Sequence, residues 1–600
     1  MAPIAVDDPP VLPEAHVLAQ HGHHQNPVLK TPSADLSTTR GNGIKHNAES
    51  ASDFDVPLRN HPAYIARRLR VITIGAGFSA MIFAHKLRYQ RPEISDIVDH
   101  TIYEARSDTG GTWLVNNYPG IQCDVPAHIY AFPFDPNPYW NRYYATGPEI
   151  HEYFTKTVKK WGLDRDIVFN SRVVGAHWQE ESSGWKVTVE HEGSRREEFA
   201  DIVVSAQGFL NIWKWPEIPG LDDFTGHKVH SAEWDHSYNY SHKRIAVIGN
   251  GSSGIQILPE MAKLPGTQVV SFQRGPTWVV SRHDVGGIAA TSNNPAYSEE
   301  QKRTFATNPR AHREYRRSLI QRSNRGFRLF VKGSPENLTS FEIAKEQMAA
   351  KLNHDPELCQ KLIPKWELGC RRVTPGQGYL ESFLLPNVGL TQSPIQRITR
   401  NAIVTADGEE REFDVVVCAT GFDVSHRPAY PVIGRNGISL GEKWKDEPES
   451  YMSLACPDMP NYFIFTGPNA VVGHGSLIEG LNWVSDYILK WVDKIAREDI
   501  RSIEPKQSAV NQFVRYGDQI HKTLTWTGEC RSWYKNNRVD GRVTATFAGS
   551  SLLFKRLISE IRGEDWNITY GSANKFAFMG NGFTEYELDD SNDLAWYIEK

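Results

Sequence analysis

The chain has 600 residues, 40% of them hydrophobic, and includes 17 tryptophans, which is enough for two or three domains with substantial cores. Its formal net charge of −5 is small for this length, so no overall field favours binding to nucleic acid or to a membrane surface. The sequence has neither a run of about 18 apolar residues nor an N-terminal signal pattern, and we therefore expect a cytoplasmic protein without a membrane span.

Residues 1–62 are rich in Pro, His, Ser, Asn and Asp and show little periodicity, which predicts a disordered N-terminal tail. The run HGHH at His21 to His24 could bind a metal, but a disordered tail supplies no fixed ligand geometry. We therefore predict no metal site.

The six cysteines are widely separated, and none forms a CxxC pair that would indicate a metal site or a redox disulfide. A reducing compartment is therefore expected. The cysteines are Cys123, Cys359, Cys370, Cys418, Cys456 and Cys530.

The stretch VITIGAGFSAM, from Val71, has the pattern of a strand, a glycine turn and a helix start. Gly75 and Gly77 match the dinucleotide fingerprint, in which a phosphate bridge approaches backbone at a helix N-terminus, and Ala80 takes the third place. The following strand ends at Glu104, whose carboxylate suits two ribose hydroxyls and would repel a 2′-phosphate. This turn is predicted to bind an unphosphorylated ADP moiety, as in FAD; a chance glycine turn is the alternative.

A second stretch, RIAVIGNGSSGIQI, carries the complete fingerprint in Gly249, Gly251 and Gly254. The strand after it ends at Arg274, whose guanidinium fork suits a 2′-phosphate. The second turn is therefore predicted to bind NADPH. The alternative for Arg274 is a solvated surface arginine.

DIVVSAQGF at 201–209 is echoed by DVVVCATGF at 414–422, and each apolar run suits a buried parallel strand. The order of turns and strands predicts an α/β fold with two Rossmann-like dinucleotide-binding domains, the second inserted in the first. We expect an FAD-binding domain at 63–210 and 396–600. An NADPH-binding domain at 211–395 would include a helical insertion at about 283–368.

Seven arginines lie between Arg310 and Arg328 in this insertion. Such a basic face could meet RNA or an acidic partner. A solvated helical surface is favoured, because no RNA-binding aromatic motif accompanies the charges.

Two further motifs resemble those of the type I Baeyer-Villiger monooxygenases, within the wider class of flavin-dependent monooxygenases. The short fingerprint stands as FTGHKVHSAEWD, with Trp234 where related N- and S-oxygenating enzymes usually have Tyr or Phe. The longer one stands as GGTWLVNNYPGIQCD, ending at Asp124. The resemblance runs from about residue 66 to about 570 and is nearest to fungal members that tailor polyketides. The short fingerprint is filled by Phe224, Gly226, His230, Trp234 and Asp235.

The resemblance implies an enzyme that uses FAD, NADPH and O2 to insert one oxygen next to the carbonyl of a small-molecule ketone. In LGCRRVTPGQGYL, Arg372 matches the catalytic arginine, which can stabilise the negative charge of carbonyl attack. Asp124 would pair with it and orient it. Without the resemblance, these two residues would be interpreted as a surface arginine and a turn residue.

Other family features follow the same resemblance. Trp533 in CRSWYKN matches a tryptophan that helps to hold NADP, and TGPNAVVGHGSL, from Thr466, resembles a segment that closes over the flavin. His230 and Trp234 are expected at the hinge between domains, although His230 could instead be a core histidine. The substrate pocket is expected beside Val471 to Leu477. Asn117 and Arg371 depart from the usual pattern, which has arginine and lysine there.

The turns and the resemblance together give a set of predicted cofactor-binding residues. These are Gly75, Gly77, Phe78, Ser79, Ala80, Glu104, Gly111, Thr112, Trp113, Leu114, Val115, Gln122, Cys123, Asp124, Val125, Tyr130, Gly249, Asn250, Gly251, Ser252, Ser253, Gly254, Ile255, Arg274, Gly275, Arg371 and Trp533.

Two other functions stay open on the sequence. One is a flavin-containing N- or S-oxygenating monooxygenase, and the other is a catalytically idle NADPH-binding sensor or scaffold. A disulfide reductase is excluded because no second cysteine follows closely after Cys123. The identity of the ketone and the oligomeric state are not encoded in any motif.

Overall fold

The computed structural model describes residues 57–280 and 294–598. Most of the predicted tail, with the HGHH run, and the first residues of the predicted insertion lie outside these ranges. Two of the last residues of that predicted tail, Arg59 and His61, contact the folded chain. Arg59 Nη2 donates to Asp499 Oδ2 at 2.5 Å, and the Asn581 N–H donates to the His61 carbonyl at 2.8 Å. The fold therefore begins earlier than residue 63.

The described residues form strands and α-helices, with runs of consecutive strands and one long run of consecutive helices. The strands are β1 (Leu69–Ile74), β2 (Val98–Tyr103), β3 (Ile167–Val168), β4 (Ser171–Gln179), β5 (Gly184–His191), β6 (Ser194–Ala200), β7 (Ile202–Ser205), β8 (His227–His230), β9 (Arg244–Ile248), β10 (Gln268–Phe272), β11 (Val388–Thr391), β12 (Ile395–Ile398), β13 (Ala402–Thr405), β14 (Glu410–Glu412), β15 (Val415–Cys418), β16 (Val432–Ile433), β17 (Tyr462–Ile464), β18 (Ile500–Pro505) and β19 (Trp566–Tyr570). The α-helices are α1 (Phe78–His85), α2 (Pro92–Ser95), α3 (Thr112–Val115), α4 (Gly147–Lys160), α5 (Ser252–Ala262), α6 (Glu299–Thr307), α7 (Pro309–Arg325), α8 (Pro335–Lys351), α9 (Pro356–Leu362), α10 (Tyr379–Ser382), α11 (Leu440–Lys443), α12 (Leu477–Arg497), α13 (Gln507–Lys522) and α14 (Ser551–Leu557).

The first parallel sheet has the strand order β17–β7–β1–β2–β3. Its central strand is apolar on both faces, as expected for a parallel strand covered on each side. Leu69 and Val71 join a core with residues of α1 and α12. Ile72 and Ile74 pack instead with residues of β4 and β5. The sheet is therefore sandwiched between helices and a second, mostly antiparallel sheet made of β16, β4, β5 and β6.

The second parallel sheet has the order β11–β10–β9–β15–β8. The antiparallel sheet β12–β13–β14 covers one of its faces, where Ile248 and Phe272 pack with Ile403 and Phe413. Strand β15 pairs with β9, although residues 396–600 are predicted to belong to the first domain. The second sheet thus extends to Cys418, because the second apolar repeat pairs with its own glycine-turn strand.

The two parallel sheets confirm the predicted α/β class with two Rossmann-like units. Helices α6 to α9 lie in the segment predicted to be a helical insertion. Their starts are set locally, because Ser298, Asn308, Ser334 and Asp355 each accept a hydrogen bond from a backbone N–H of the first turn.

Helix α7 carries most of the clustered arginines and also packs against the first Rossmann-like unit. The His128 and His312 rings are hydrogen-bonded at 2.9 Å, and Arg316 Nε donates to the His128 carbonyl at 3.0 Å. The insertion is therefore anchored to the chain that follows Asp124. Within the described residues, no helix has both the length and the apolar character needed to cross a bilayer.

Candidate active site

The first glycine turn joins β1 to α1 and lies against neighbouring backbone. Gly75 has a φ of +97°, and a Cβ there would lie 3.1 Å from the carbonyl oxygen of Ala206. Gly77 is the N-cap of α1. A Cβ on Gly111 would lie 3.1 Å from the Cα of Gly77. Side chains are thus kept away from the N-terminus of α1, where free N–H groups favour a phosphate.

Glu104 lies at the end of β2, next to this turn. Its Oε2 accepts a hydrogen bond from the Ala76 N–H at 2.8 Å, and its Oε1 accepts one from the Arg106 N–H at 2.9 Å. Two backbone donors therefore fix the carboxylate, which retains further lone pairs. This arrangement fits a ribose with free hydroxyls.

An aromatic group borders the first turn. Trp113, in α3, donates through Nε1 to Tyr130 Oη at 3.2 Å, and Phe78 packs edge-on against Tyr130 with ring centroids 5.6 Å apart. Burial raises the pKa of Tyr130, so its hydroxyl keeps its proton. Predicted residues from the first turn and from the longer fingerprint are therefore in contact here.

The loop that leads to Asp124 is fastened to α5 of the second unit. Tyr118 Oη donates to Gln256 Oε1 at 2.9 Å, and Gln256 Nε2 donates to the Gln122 carbonyl at 3.0 Å. Gly120 has a φ of +79°, and a Cβ there would lie 2.6 Å from the Gln256 carbonyl oxygen. The position of Asp124 therefore depends on how the two units meet.

Arg372 and Asp124, the predicted catalytic pair, form a two-pronged ion pair. Arg372 Nη2 donates to Asp124 Oδ1 at 2.6 Å, and Arg372 Nε donates to Oδ2. Burial opposes the guanidinium charge, but the Asp124 carboxylate outweighs it and holds the pKa of Arg372 above its usual range. The site therefore contains a permanent, oriented cation, with 26% of the Arg372 side chain exposed.

The second glycine turn joins β9 to α5 and is tighter than the first. Gly249 has a φ of +109°, and a Cβ there would lie 2.4 Å from the Ala419 carbonyl oxygen. A Cβ on Gly254 would lie 2.0 Å from the Gly249 carbonyl oxygen. Gly251 is the N-cap of α5, and a Cβ there would meet no atom of the described residues within 4 Å. Protein packing thus explains Gly249 and Gly254, while Gly251 borders open space suited to a phosphate bridge.

The chain beyond β10 is tied to this second turn. Asn250 Nδ2 donates to Gln273 Oε1 at 2.6 Å and to the Gly275 carbonyl at 2.8 Å. The segment that carries Arg372 is attached to the same place, since the hydroxyls of Ser252 and Thr374 lie 3.0 Å apart. Arg274 is therefore held at the rim of the second turn.

Three arginines gather at this rim. Arg371 Nε donates to the Arg531 carbonyl at 2.5 Å, and the Arg371 guanidinium lies 5.4 Å from the centre of the Trp366 ring. Burial, with the charges of Arg274 and Arg531, lowers the pKa of Arg371 to about 10. Among the described residues, no carboxylate lies within 4.0 Å of these three guanidinium groups. The cluster fits a phosphate, and sequence analysis missed Arg531 because no motif position marks it.

A disulfide joins Cys370 to Cys530, with the Cα atoms 6.2 Å apart and 160 residues between them in sequence. The cysteine spacing gave no sign of this bridge, because such a pairing depends on spatial proximity. The bridge also disagrees with the expected reducing compartment, where disulfides are rare. Each bridged cysteine immediately precedes an arginine of the rim, Arg371 or Arg531. Cys359, Cys418 and Cys456 are not part of a disulfide.

Trp533 lies near the end of the first apolar repeat, where the chain passes from the first unit to the second. Its ring stacks on Phe209 with centroids 5.7 Å apart and an interplanar angle of 26°. Phe209 ends the first apolar repeat. The tryptophan predicted to hold NADP is therefore close to the segment that joins the two units. It follows Cys530 by three residues.

His230 contacts residues near the ends of both apolar repeats, where the chain passes between the two units. Its ring stacks on Trp213 with centroids 4.3 Å apart, and Nε2 lies 3.3 Å from Thr420 Oγ1. Nδ1 accepts a hydrogen bond from the Ala232 N–H at 3.1 Å, and burial lowers the pKa of His230 to about 4. A neutral imidazole therefore connects the two segments that join the units, as suits the expected hinge. Trp234 stacks on Tyr240 instead.

The segment expected to close over the flavin lies between the insertion and α14. The Gly475 N–H donates to Ser323 Oγ of α7 at 3.0 Å, and His474 Nε2 accepts from the Ser551 N–H at 3.2 Å. The expected pocket wall therefore contacts the helical insertion.

The remaining predicted residues occupy the same two regions. Cys123 and Val125 are buried on either side of Asp124. The others lie in helices: Ser79 and Ala80 in α1, Thr112, Leu114 and Val115 in α3, and Ser253 and Ile255 in α5.

Comparisons with known proteins identify the family of this chain. A family model described as flavin-binding monooxygenase-like matches residues 69–290. The FAD-binding monooxygenase tazF of Aspergillus terreus is 41% identical over 546 residues, which cover 90% of this chain and 96% of that protein. A Baeyer-Villiger monooxygenase of Pseudomonas aeruginosa is 31% identical, covering 84% of this chain and 92% of its own.

Among solved structures, cyclohexanone monooxygenase from Rhodococcus sp. Phi1, bound to NADP+, superposes with a TM-score of 0.71. It is 25% identical, and the match covers 84% of this chain and 100% of that one. The similarity therefore extends across both Rossmann-like units.

Proposed function

This chain belongs to the flavin-binding monooxygenase family, and on that premise we propose that it is an FAD- and NADPH-dependent Baeyer-Villiger monooxygenase. It uses O2 to insert one oxygen atom next to a ketone carbonyl, giving an ester or a lactone. The observation that carries the proposal is the ion pair between Arg372 and Asp124, because this reaction needs a fixed cation where carbonyl attack develops negative charge.

The two glycine turns support the assignment of the cofactors. The fixed Glu104 carboxylate fits the unphosphorylated ribose of FAD, and the rim arginines fit the 2′-phosphate of NADPH. The solved relative bound to NADP+ supports the same assignment. When bound, the cofactors supply hydride and activate O2.

Arg372 stabilises negative charge on the substrate oxygen during attack. Its guanidinium cannot lose its proton near neutral pH and presents several donors in a fixed plane. Asp124 accepts two of them and so sets the plane of the group. Since the Asp124 loop is bound to α5 through Gln256, the contact between the units positions the cation.

The proposed setting is fungal secondary metabolism, with a polyketide-derived ketone as substrate. The fungal relative and the resemblance to polyketide-tailoring enzymes support it. The contacts between α7 and the His474 segment indicate that the insertion helps to form the pocket for this ketone.

Arg372→Ala tests the mechanism. We expect ketone oxygenation to fall about 100- to 1000-fold, the loss typical of one oxyanion donor, while the purified protein still binds FAD and oxidises NADPH. Products heavier by one oxygen atom are measured by mass spectrometry with a panel of ketones. Arg515→Ala, which removes an exposed arginine of α13, is the matched control and should leave the rate unchanged.

Full ketone oxygenation by Arg372→Ala would contradict the mechanism. Oxidation of thioethers without oxygenation of any ketone would favour an N- or S-oxygenating enzyme. A protein that binds FAD and consumes no NADPH with any substrate would favour a sensor or scaffold.

A further inference from the structure

We propose that Arg531 is a third residue that binds the 2′-phosphate of NADPH, and that the disulfide between Cys370 and Cys530 positions it beside Arg274 and Arg371. The inference rests on the proposed use of NADPH. It adds a specificity-determining residue that neither glycine turn nor any fingerprint marks.

The three arginines reach one place from distant parts of the chain. Arg274 follows β10, and Asn250 fixes the loop there through the Gly275 carbonyl. Arg371 and Arg531 meet through the hydrogen bond from Arg371 Nε to the Arg531 carbonyl. This bond leaves the remaining donors of the Arg371 guanidinium and the whole Arg531 guanidinium available.

The charge of this cluster is not neutralised by the described protein. No described carboxylate lies within 4.0 Å of its guanidinium groups, and burial, together with mutual repulsion, lowers the pKa of Arg274 and of Arg371. A bound dianion would relieve this repulsion. Phosphate suits the site because guanidinium forks bind its oxygens in pairs.

The neighbouring Arg372 has a different task. It is one residue beyond Arg371, yet both of its carboxylate contacts are to Asp124. The two adjacent arginines therefore serve two charges, one on the substrate and one on the coenzyme. Because Arg372 is already paired, the arginines left to surround a phosphate at the rim are Arg274, Arg371 and Arg531.

The disulfide explains how Arg531, an exposed residue, stays beside Arg371 at the rim. Cys370 and Cys530 are both buried, and the bridge joins the residues immediately before Arg371 and Arg531. The two backbones therefore cannot separate, and less conformational entropy is lost when both side chains bind one phosphate.

Binding of two adenosine nucleotides to the full-length protein tests Arg531. Adenosine 2′,5′-bisphosphate and adenosine 5′-monophosphate differ only in the 2′-phosphate, and each is titrated by calorimetry. In Arg531→Ala we expect the affinity for the bisphosphate to fall about 10- to 150-fold, as for loss of a charged hydrogen bond. The affinity for the monophosphate should stay the same.

Controls separate the possible failures. Arg531→Lys should restore part of the preference, and Arg515→Ala should leave both affinities unchanged. A preference that survives intact in Arg531→Ala overturns the role of Arg531 while leaving NADPH use standing. A wild-type protein without any preference for the bisphosphate overturns the proposed use of NADPH itself.

The disulfide is tested by the ratio of the two affinities. The double variant Cys370→Ser, Cys530→Ser should lower this ratio about 2- to 12-fold, the effect of having to order one flexible side chain. General damage to the fold would weaken both nucleotides and leave the ratio unchanged. Cys359→Ser, at a free cysteine, is the matched control. An unchanged ratio in the double variant overturns the positioning role.

Discussion

The two glycine-turn units are built with the same backbone contacts but end in opposite charges. In each, an arginine N–H at the start of the first strand donates to an aspartate at 2.8 Å, and the turn glycine faces the carbonyl of an alanine within the apolar repeat. The corresponding pairs are Arg70 with Asp201, Arg244 with Asp414, Gly75 with Ala206, and Gly249 with Ala419. The shared contacts explain why both units suit a dinucleotide.

The units differ where the ribose is expected. Glu104 in the first is held by two backbone donors, whereas Arg274 in the second belongs to a cluster of three arginines. They differ also at the third fingerprint place, which is Ala80 in one and Gly254 in the other. The comparison teaches that backbone geometry selects the class of ligand, while side chains from outside the turn select which member binds.

The largest effect is expected from placing alanine at the third place of the second turn. Gly254→Ala should lower the free energy of unfolding by about 3 kcal/mol, because the new Cβ would lie 2.0 Å from the Gly249 carbonyl oxygen. The reverse change in the first turn, Ala80→Gly, should cost only about 1 kcal/mol, the usual difference in helix propensity. Chemical denaturation measures both.

Gly251→Ala is the matched control for this pair. Its Cβ would meet no described atom within 4 Å, so the stability should be unchanged while NADPH binding weakens. Equal stability of Gly254→Ala and the wild type would show that the second turn tolerates alanine as the first does.

A smaller effect is expected at the ribose end of the first unit. Glu104→Gln presents only one oxygen to the Ala76 and Arg106 N–H groups, so one donor loses its partner, at a cost of about 1 to 3 kcal/mol. The flavin content of the purified protein should fall with it. Thermal unfolding and flavin absorbance measure the two losses.

Glu152→Gln is the control for Glu104→Gln. It removes an exposed carboxylate paired with Lys156 on α4 and should change the free energy of unfolding by less than about 0.5 kcal/mol. Normal flavin content in Glu104→Gln would contradict the role assigned to that carboxylate.

The smallest effect is expected at the junction of the two units. The pKa of His230 is lowered from 6.5 to about 4 by burial, so between these values the unfolded chain binds a proton that the folded chain does not. The free energy of unfolding therefore falls as the pH drops from 6.5 towards 4. His230→Gln should make this fall shallower, and should cost about 1 kcal/mol near neutral pH through its lost hydrogen bond.

Thermal midpoints measured across this pH range test the expectation. His354→Gln, at an exposed histidine, should reproduce the wild-type profile. A His230→Gln profile with the wild-type slope would show that the junction does not keep this imidazole neutral.

Sequence patterns predicted the parts of the site that lie within one strand, turn and helix. The glycine turns, the charges of Glu104 and Arg274 and the helical insertion belong to this group, because each constraint acts between residues close together in the chain. The pairing of Arg372 with Asp124 was expected only from the resemblance to a family. No local pattern connects residues 248 positions apart.

Other features could not be predicted from the sequence. Strand β15 pairs with β9, although the apolar repeat alone suited either sheet. The bridge between Cys370 and Cys530 and the approach of Arg531 to Arg371 have no spacing rule behind them. Each depends on which surfaces the folded chain brings together.

The sequence by itself determined that this chain has two glycine turns suited to a phosphate, with opposite charges beside them, because close approach to a helix N-terminus demands glycine at fixed spacing. Only the tertiary structure decided how these turns are combined into one site. Packing of the Asp124 loop on α5 positions the acidic partner of Arg372, and the disulfide joins the residues that precede Arg371 and Arg531. Such contacts arise from burial of whole faces of the two units, which leaves no local signature in the chain.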